Sequence, residues 1–467
     1  MPPKALPGFR DFYPEQLAER TYIFETWRRV VRRYAFLEYD GPPLEPLDLY
    51  TAKSGDEIVG QLYNFEDKGG RAVAMRPEMT PTFARMVAAK AQALRKPVRW
   101  FSLPQLFRYE RQQKGRLREH YQLNVDIVGE ADVLADAELL SVAVEIMRAF
   151  ALCATDVRAR VSDRRLLNGL LEHLGIDAAI WPSVYAVLDK MERQPRAVSS
   201  EKLDLAGINA ETAEVILGFD KLTFDELNAN YGSAPSVAPH AERFAQYLAH
   251  ATALGIADWI QFDLTIVRGL AYYTGIVFEL FDAVGEFRAI CGGGRYDNLL
   301  SSLGGVDLPA LGFGMGDVVL GELLRERGKM PQFQATDDRY FIVGQDVQVA
   351  DVLRVATALR RYLPLSSVSY GLNKVAVEQR KQAKQLDDAR GNGANILLNI
   401  IRYPGNVAMS VALPDFRNFS AVPDEQVRDL MDPFSTEVAQ QTAALQIQSL
   451  ARGLKQPPAQ GRDLRIK

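Results

Sequence analysis

The run Phe107 to Gly129, FRYERQQKGRLREHYQLNVDIVG, carries the residue types in this chain best suited to chemistry. Arg111, Lys114, Arg116 and Arg118 crowd a polar stretch around Gly115, and Arg108, Gln122 and Asp126 sit on the flanking segments. Guanidinium groups match the oxygens of a polyanion, whereas a carboxylate beside an amide accepts hydrogen bonds from an amine or a cation. The same arginines also fit a solvated hairpin tip, because a short motif is a hypothesis until its surroundings agree. Glu78, next to Pro77, is a carboxylate that suits an ammonium group, and Thr80 reads as the N-cap of the helix that follows. Arg268-Gly269 and Gly292-Gly293-Gly294-Arg295 set arginines beside residues without side chains, where backbone can approach a ligand or another strand closely.

Composition removes several alternatives. The four histidines are scattered as His120, His173, His240 and His250, which argues against a histidine metal site or a catalytic triad. Cys153 and Cys291 have neither metal spacing nor a disulfide framework and read as small core residues. A net charge of −4 argues against nonspecific coating of nucleic acid but leaves local basic patches open. No apolar run approaches bilayer-spanning length, and MPPKALPGFRDF lacks a secretory apolar core, so the expected location is cytoplasmic.

The elements that must position these residues follow from periodicity. Tyr121, Leu123, Val125 and Ile127 alternate with Gln122, Asn124 and Asp126, a strand that turns one set into a core and the other towards a cavity. Trp100 to Tyr109 reads as its partner across the cationic loop. Upstream, Pro14 to Tyr34 has helical spacing, and Pro42-Pro43 forces an extended edge segment on which a second subunit can pair. QLYNFED and RAVAMRPEMT form a hairpin through Lys68-Gly69-Gly70. Downstream, Asp132 caps a helix reaching Leu152, a strand spans 157 to 161, and polar helices run from about Asp163 to Ala257 as an insertion. IVFELFD and FRAICGG pair through Gly285, and PALGFGMGDVVLGELL is a strand entering a helix, without the lysine of a Walker loop.

At 467 residues the chain has material for two or three domains. A polar stretch, Gly328 to Asp338, reads as a linker to a small domain in which strand alternates with helix. From Pro433 an alanine- and glutamine-rich helix leads into a basic end, LKQPPAQGRDLRIK, expected to be disordered.

These pieces, in this order, resemble the histidyl-tRNA synthetase family of class II aminoacyl-tRNA synthetases over nearly the whole chain. The Pro42 segment resembles the class II first motif, FRYERQQKGRLREH with YQLNVDIVG the second, PALGFGMGD the third, and VRGLAYYTG and CGGGRYD the two histidine-specific signatures. The resemblance implies an α+β fold: an antiparallel six-stranded sheet flanked by helices, a helical insertion, and a C-terminal α/β anticodon-binding domain. In boundaries, this means a catalytic domain over 1–327 with the insertion at about 163–257, a linker over 328–338, the anticodon-binding domain over 339–432, and a helix and tail over 433–467.

The implied reaction joins histidine and ATP into histidyl-adenylate and moves the histidyl group to histidine tRNA. The implied partners are histidine, ATP with Mg²⁺, histidine tRNA and a second copy of the chain; no tightly bound cofactor is implied. By matching position, Glu78, Thr80 and Gln122 would hold the α-ammonium, Asp126 and Tyr273 would read the imidazole, and Tyr272 and Tyr296 would complete that pocket. Arg108 would bind the α-phosphate, Arg116 the outer phosphates, and Arg268 the charge that builds on the α-phosphorus. Gln113 would meet the tRNA acceptor end.

Two positions depart from the family pattern. Ala271 stands where the signature has aspartate, and Val319 where the third motif carries an arginine that clamps the end of ATP. Both resemble a branch found in some bacteria and plant organelles; in this chain Arg116 or Arg295 would be expected to compensate. The rival reading is the regulatory subunit of ATP phosphoribosyltransferase, a synthetase-like histidine sensor that aminoacylates nothing.

Overall fold

The computed structural model describes residues 4–51, 59–109, 117–267, 273–285, 287–302, 306–331, 338–371, 382–413 and 419–455. They form two compact units, Met1–Pro331 and Gln332–Lys467.

In the first unit a helix, Pro14–Arg33, starts with proline at its first position, where no backbone N–H is needed, and buries Ile23, Trp27, Val30 and Val31 along one side. The strands follow as β1 (Leu37–Glu38), β2 (Leu44–Pro46), β3 (Asn64–Glu66), β4 (Ala72–Met75), β5 (Val98–Ser102), β6 (Gln105–Phe107) and β7 (Glu119–Val128). Then come β8 (Val157–Asp163), β9 (Ile260–Phe262), β10 (Ile276–Asp282), β11 (Cys291–Arg295) and β12 (Ala310–Gly316). In the main sheet the order is β1-β5-β7-β12-β11-β10-β8-β9, with β6 also pairing β7. The stretch from β5 to β8 is antiparallel throughout, and the short strands β1 and β9 extend it by parallel pairing at the edges. The six antiparallel strands implied by the resemblance are therefore the centre of a wider sheet.

The period-two reading of β7 holds. Leu123, Val125 and Ile127 join one core with the helices Pro14–Arg33 and Val133–Ala149, while Gln122, Asn124 and Asp126 open onto a cavity on the opposite face. Asp132 caps the second helix, its carboxylate accepting from the Leu134 N–H at 2.8 Å. The hairpin through Lys68-Gly69-Gly70 forms as β3–β4, and β2 pairs on the other side of β4 in a separate small sheet. Residues between β8 and β9 are helical, from Arg164–His173 to Ala238–Ala253, and share the main core through Leu203, Leu227, Phe244 and Tyr247.

Local readings change in three places. Trp100 to Tyr109 is two strands, β5 and β6, interrupted at Leu103-Pro104, because proline cannot donate to the ladder. Thr80 is not a cap: it is the first residue of the helix Thr80–Lys90, Met79 precedes it, and no side chain caps that end. Cys291 is buried but Cys153 is exposed, lying past the helix end where its backbone N–H donates to Asp156.

The second unit is a five-stranded sheet: β13 (Asp338–Gln345), β14 (Ser366–Tyr370), β15 (Ile396–Tyr403), β16 (Asn406–Ala412) and β17 (Phe419–Ala421), in the order β14-β13-β15-β16-β17. Pairing is parallel around β13 and antiparallel from β15 onward. The late helix Glu437–Lys455 sends Ala443, Ala444, Ile447 and Ala451 into the same core as Val352, Val355 and Leu359 of the helix Val349–Tyr362, so it is part of this unit. The basic end lies outside the described residues. Among the described residues no helix is long and apolar enough to cross a membrane.

Candidate active site

The site is two chambers on the face of the main sheet away from the helices Pro14–Arg33 and Val133–Ala149. An inner chamber of about 80 Å³ is lined by Glu78, Thr80, Gln122, Asn124, Asp126, Tyr273 and Tyr296, and by Gly312 and Gly314. An outer chamber of about 320 Å³ is lined by Arg108, Arg193, Arg288, His120, Glu279, Val318 and Val319, among others. Arg108, Gln122, Gly292 and Gly314 belong to both, so the chambers meet at the foot of β7 and β12.

Backbone register makes the inner chamber. Gly312 pairs with Asp126 and Gly314 with Asn124 across β12 and β7. A side chain at Gly312 would overlap the Asp126 carboxylate, and one at Gly314 would come within 2.7 Å of the Gln122 amide. The alternating glycines of ALGFGMG thus leave the floor over which the polar side chains of β7 lie. Period-two glycine was the available signal for this; in the sequence the run reads as a strand entering a helix and resembles the third motif, and neither reading points to the floor of a cavity. Tyr296 is 1% exposed, and its hydroxyl donates to Asp126 Oδ1. Burial raises the Asp126 carboxyl from 3.8 to about 7, against the lowering effect of that hydrogen bond. A carboxylate so placed favours a ligand that brings a proton or an N–H to it.

The outer chamber has the opposite character. Arg108 directly follows β6 and donates from Nε to the Pro77 carbonyl at 3.0 Å, and with Glu78 it lines the inner chamber. Burial, then the positive fields of Arg108 and Arg10, hold the His120 imidazole down at about 3, so it lines the chamber as a neutral ring. Among the described residues, three arginines and one carboxylate, Glu279, line it, a balance suited to a polyphosphate. Neither Arg193, at the end of the turn Met191–Arg193 in the insertion, nor Arg288, between β10 and β11, was singled out by sequence reasoning. No local spacing marks them.

Other residues support the hairpin without lining either chamber. Arg10 donates from Nε to Glu119 at 2.6 Å and from Nη1 to Asp317 at 2.9 Å. Asp317 also accepts from the Tyr121 N–H at 2.9 Å, so the N-terminal segment ties β7 to the helix Asp317–Glu326. Arg118 stacks over Tyr109 with its guanidinium 4.1 Å from the ring centre.

Arg295 is a correction. Rather than facing the outer chamber, it is 1% exposed at the side chain and holds Asp136 with Nη2–Oδ2 at 2.6 Å. It also donates to the carbonyl of Glu130 at 2.9 Å, so it secures the start of the helix Val133–Ala149 against β11 and is not available to replace an arginine at 319. Arg116, Gln113, Arg268, Ala271 and Tyr272 lie outside the described residues.

The family model for histidyl-tRNA synthetase matches residues 8–316. The chain belongs to the histidyl-tRNA synthetase family. It is 43% identical over 450 residues to the histidine–tRNA ligase of Opitutus terrae, covering 93% of this chain and 99% of that one. It is also 43% identical over 361 residues to the chloroplastic/mitochondrial histidine–tRNA ligase of Arabidopsis thaliana, covering 77% of this chain and 73% of that one. The fold is shared with the crystal structure of histidyl-tRNA synthetase from Nostoc sp. PCC 7120, at a TM-score of 0.75 and 23% identity, over 91% of this chain and 98% of that one.

Proposed function

We propose that this chain activates histidine with ATP and transfers the histidyl group to the 3′ end of histidine tRNA. The observation that supports it is the pair of joined chambers, one acidic and amide-lined, the other rich in arginine. Glu78, Thr80 and Gln122 take the α-ammonium of histidine, and Asp126, held by Tyr296, accepts from the imidazole with Tyr273 and Tyr272 beside it. The histidine carboxylate then points towards Arg108. One of its oxygens attacks the α-phosphorus, the bond from that phosphorus to the bridging oxygen breaks, and pyrophosphate leaves.

No protein nucleophile is needed; alignment and charge neutralisation do the work. Arg108 binds the α-phosphate, Arg116 the outer phosphates, and Arg268 the charge on the α-phosphorus. Mg²⁺ bound with ATP would supply charge neutralisation at the phosphates, and Glu279, a carboxylate that lines the outer chamber, would help to hold it. Transfer follows when a hydroxyl of the terminal adenosine attacks the histidyl carbonyl and AMP leaves, with Gln113 at the acceptor end and the second unit reading the anticodon. A second copy of the chain pairs along the Pro42 segment, and the enzyme works in the cytoplasm. The regulatory-subunit reading is not favoured, since the curated relatives named above are ligases.

The test is histidine-dependent exchange of labelled pyrophosphate into ATP without tRNA. Exchange that requires histidine and disappears in Arg268→Ala is the expected result. Histidine binding by calorimetry with no exchange would overturn adenylation and restore the sensor reading.

A further inference from the structure

The third-motif position that would face the end of the nucleotide is Val319, which lines the outer chamber and packs against the main core. A chamber that accepts a triphosphate needs cations at its far end, and Val319 supplies none. Arg193 and Arg288 line the same chamber, and both also line a second cavity of about 580 Å³ that lies between the insertion and the edge of the main sheet. They therefore stand at the opening where the nucleotide chamber meets this larger space.

Glu192, the carboxylate next to Arg193, is engaged by Arg160 at 2.9 Å from Nη1. Asp263 is likewise bonded by Arg160, and Asp282 accepts from Arg327 at 2.6 Å. Three acids that line the larger cavity, Glu192, Asp263 and Asp282, are thus bonded by Arg160 or Arg327, and Asp220 lines it as well.

We propose that Arg288 and Arg193 together bind the outer phosphates of ATP, doing the work for which Val319 has no charge. This rests on the adenylation reading above. In the forward reaction they hold the departing pyrophosphate, which takes the electron pair of the broken bond to phosphorus; in reverse they present pyrophosphate to the adenylate.

The experiment compares Arg288→Ala, Arg193→Ala, the double variant and Arg288→Lys in pyrophosphate exchange, with a non-hydrolysable histidyl-adenylate analogue as a second ligand. Both arginines are exposed, so folding is retained, and melting curves check it. Loss of a charge-assisted contact raises the KM for ATP and for pyrophosphate by about tenfold to a hundredfold in Arg288→Ala, and further in the double variant. The KM for histidine and the affinity for the analogue, which has no outer phosphates, stay within about twofold, and Arg288→Lys recovers part of the loss as a point charge. Unchanged ATP and pyrophosphate dependence in the double variant, beside an active wild type, overturns the proposal alone. Equal weakening of the analogue also overturns it, since that marks general disruption. A wild type that performs no exchange removes the adenylation reading, and this one with it.

Discussion

The inner and outer chambers are built on different principles although they share Arg108 and Gln122. The inner one is a product of regular structure: Gln122, Asn124 and Asp126 follow one another at period two on β7, and the glycines of β12 lie opposite them in register. Its shape is fixed by backbone spacing, and Glu78, Asn124 and Asp126 are buried in it. The outer one gathers side chains from β6, β7, β10, the β10–β11 connection, the insertion and the first turn of the helix after β12. Its arginines are longer, and Arg193 and Arg288 are exposed. A small ligand that must be told apart from its relatives meets the rigid chamber, where an unpaired buried group is costly. A flexible polyphosphate meets the adaptable one.

The comparison breaks first if the shared scaffold is removed. Arg295→Met leaves Asp136 buried without its guanidinium, at a cost of about 3–5 kcal/mol, and both chambers fail together. Urea unfolding of that variant should show a large drop in midpoint, and a midpoint near wild type would mean that Arg295 has a local role in the site. Next comes Gly312→Ala, whose added methyl overlaps the Asp126 carboxylate. Overpacking of this kind costs about 1–3 kcal/mol, so the KM for histidine should rise by roughly tenfold to a hundredfold while the KM for ATP moves much less. Equal changes in both constants would deny the separation of the chambers.

The pH dependence sharpens the contrast further. With its carboxyl raised to about 7, Asp126 accepts from the imidazole only above that pH, so histidine binding should weaken as pH falls through it. Asp126→Asn should remove that inflection along with most of the affinity. Stability carries the opposite sign. Between 3.8 and about 7 the folded chain keeps a proton that the unfolded chain gives up, so the empty fold loses stability as pH rises through that window. The Asp126→Asn melting temperature should therefore gain on wild type between pH 5 and pH 8; a constant difference would contradict it. The smallest effect is expected for Val319→Arg. Beside Arg288 and Arg193 the added cation should lower the KM for ATP by no more than about threefold, and by more in the Arg288→Ala background, because neighbouring charges on one ligand do not add.

Much of the inner chamber was legible from the chain alone. The alternation in YQLNVDIV fixes which face of β7 is polar, because a strand's side chains change face at every residue. Glu78, Gln122, Asp126, Tyr273 and Tyr296 were all singled out, and they line one cavity. The Asp132 cap, the β3–β4 turn and the strand-to-helix step at Gly316-Asp317 were readable for the same reason: each is decided by residues a few positions apart. The tertiary structure decided the rest. Arg295 sits beside a glycine run, yet its partner Asp136 is distant in sequence, and only the packing of the helix Val133–Ala149 on β11 turns that arginine into a buried strut. Thr80 looked like a cap, but the end of the helix is set by how β4 delivers the chain to it. Arg193 and Arg288 have no motif because nothing local constrains them. An arginine's reach depends on where its backbone is carried, and that is settled by the insertion and the sheet edge together.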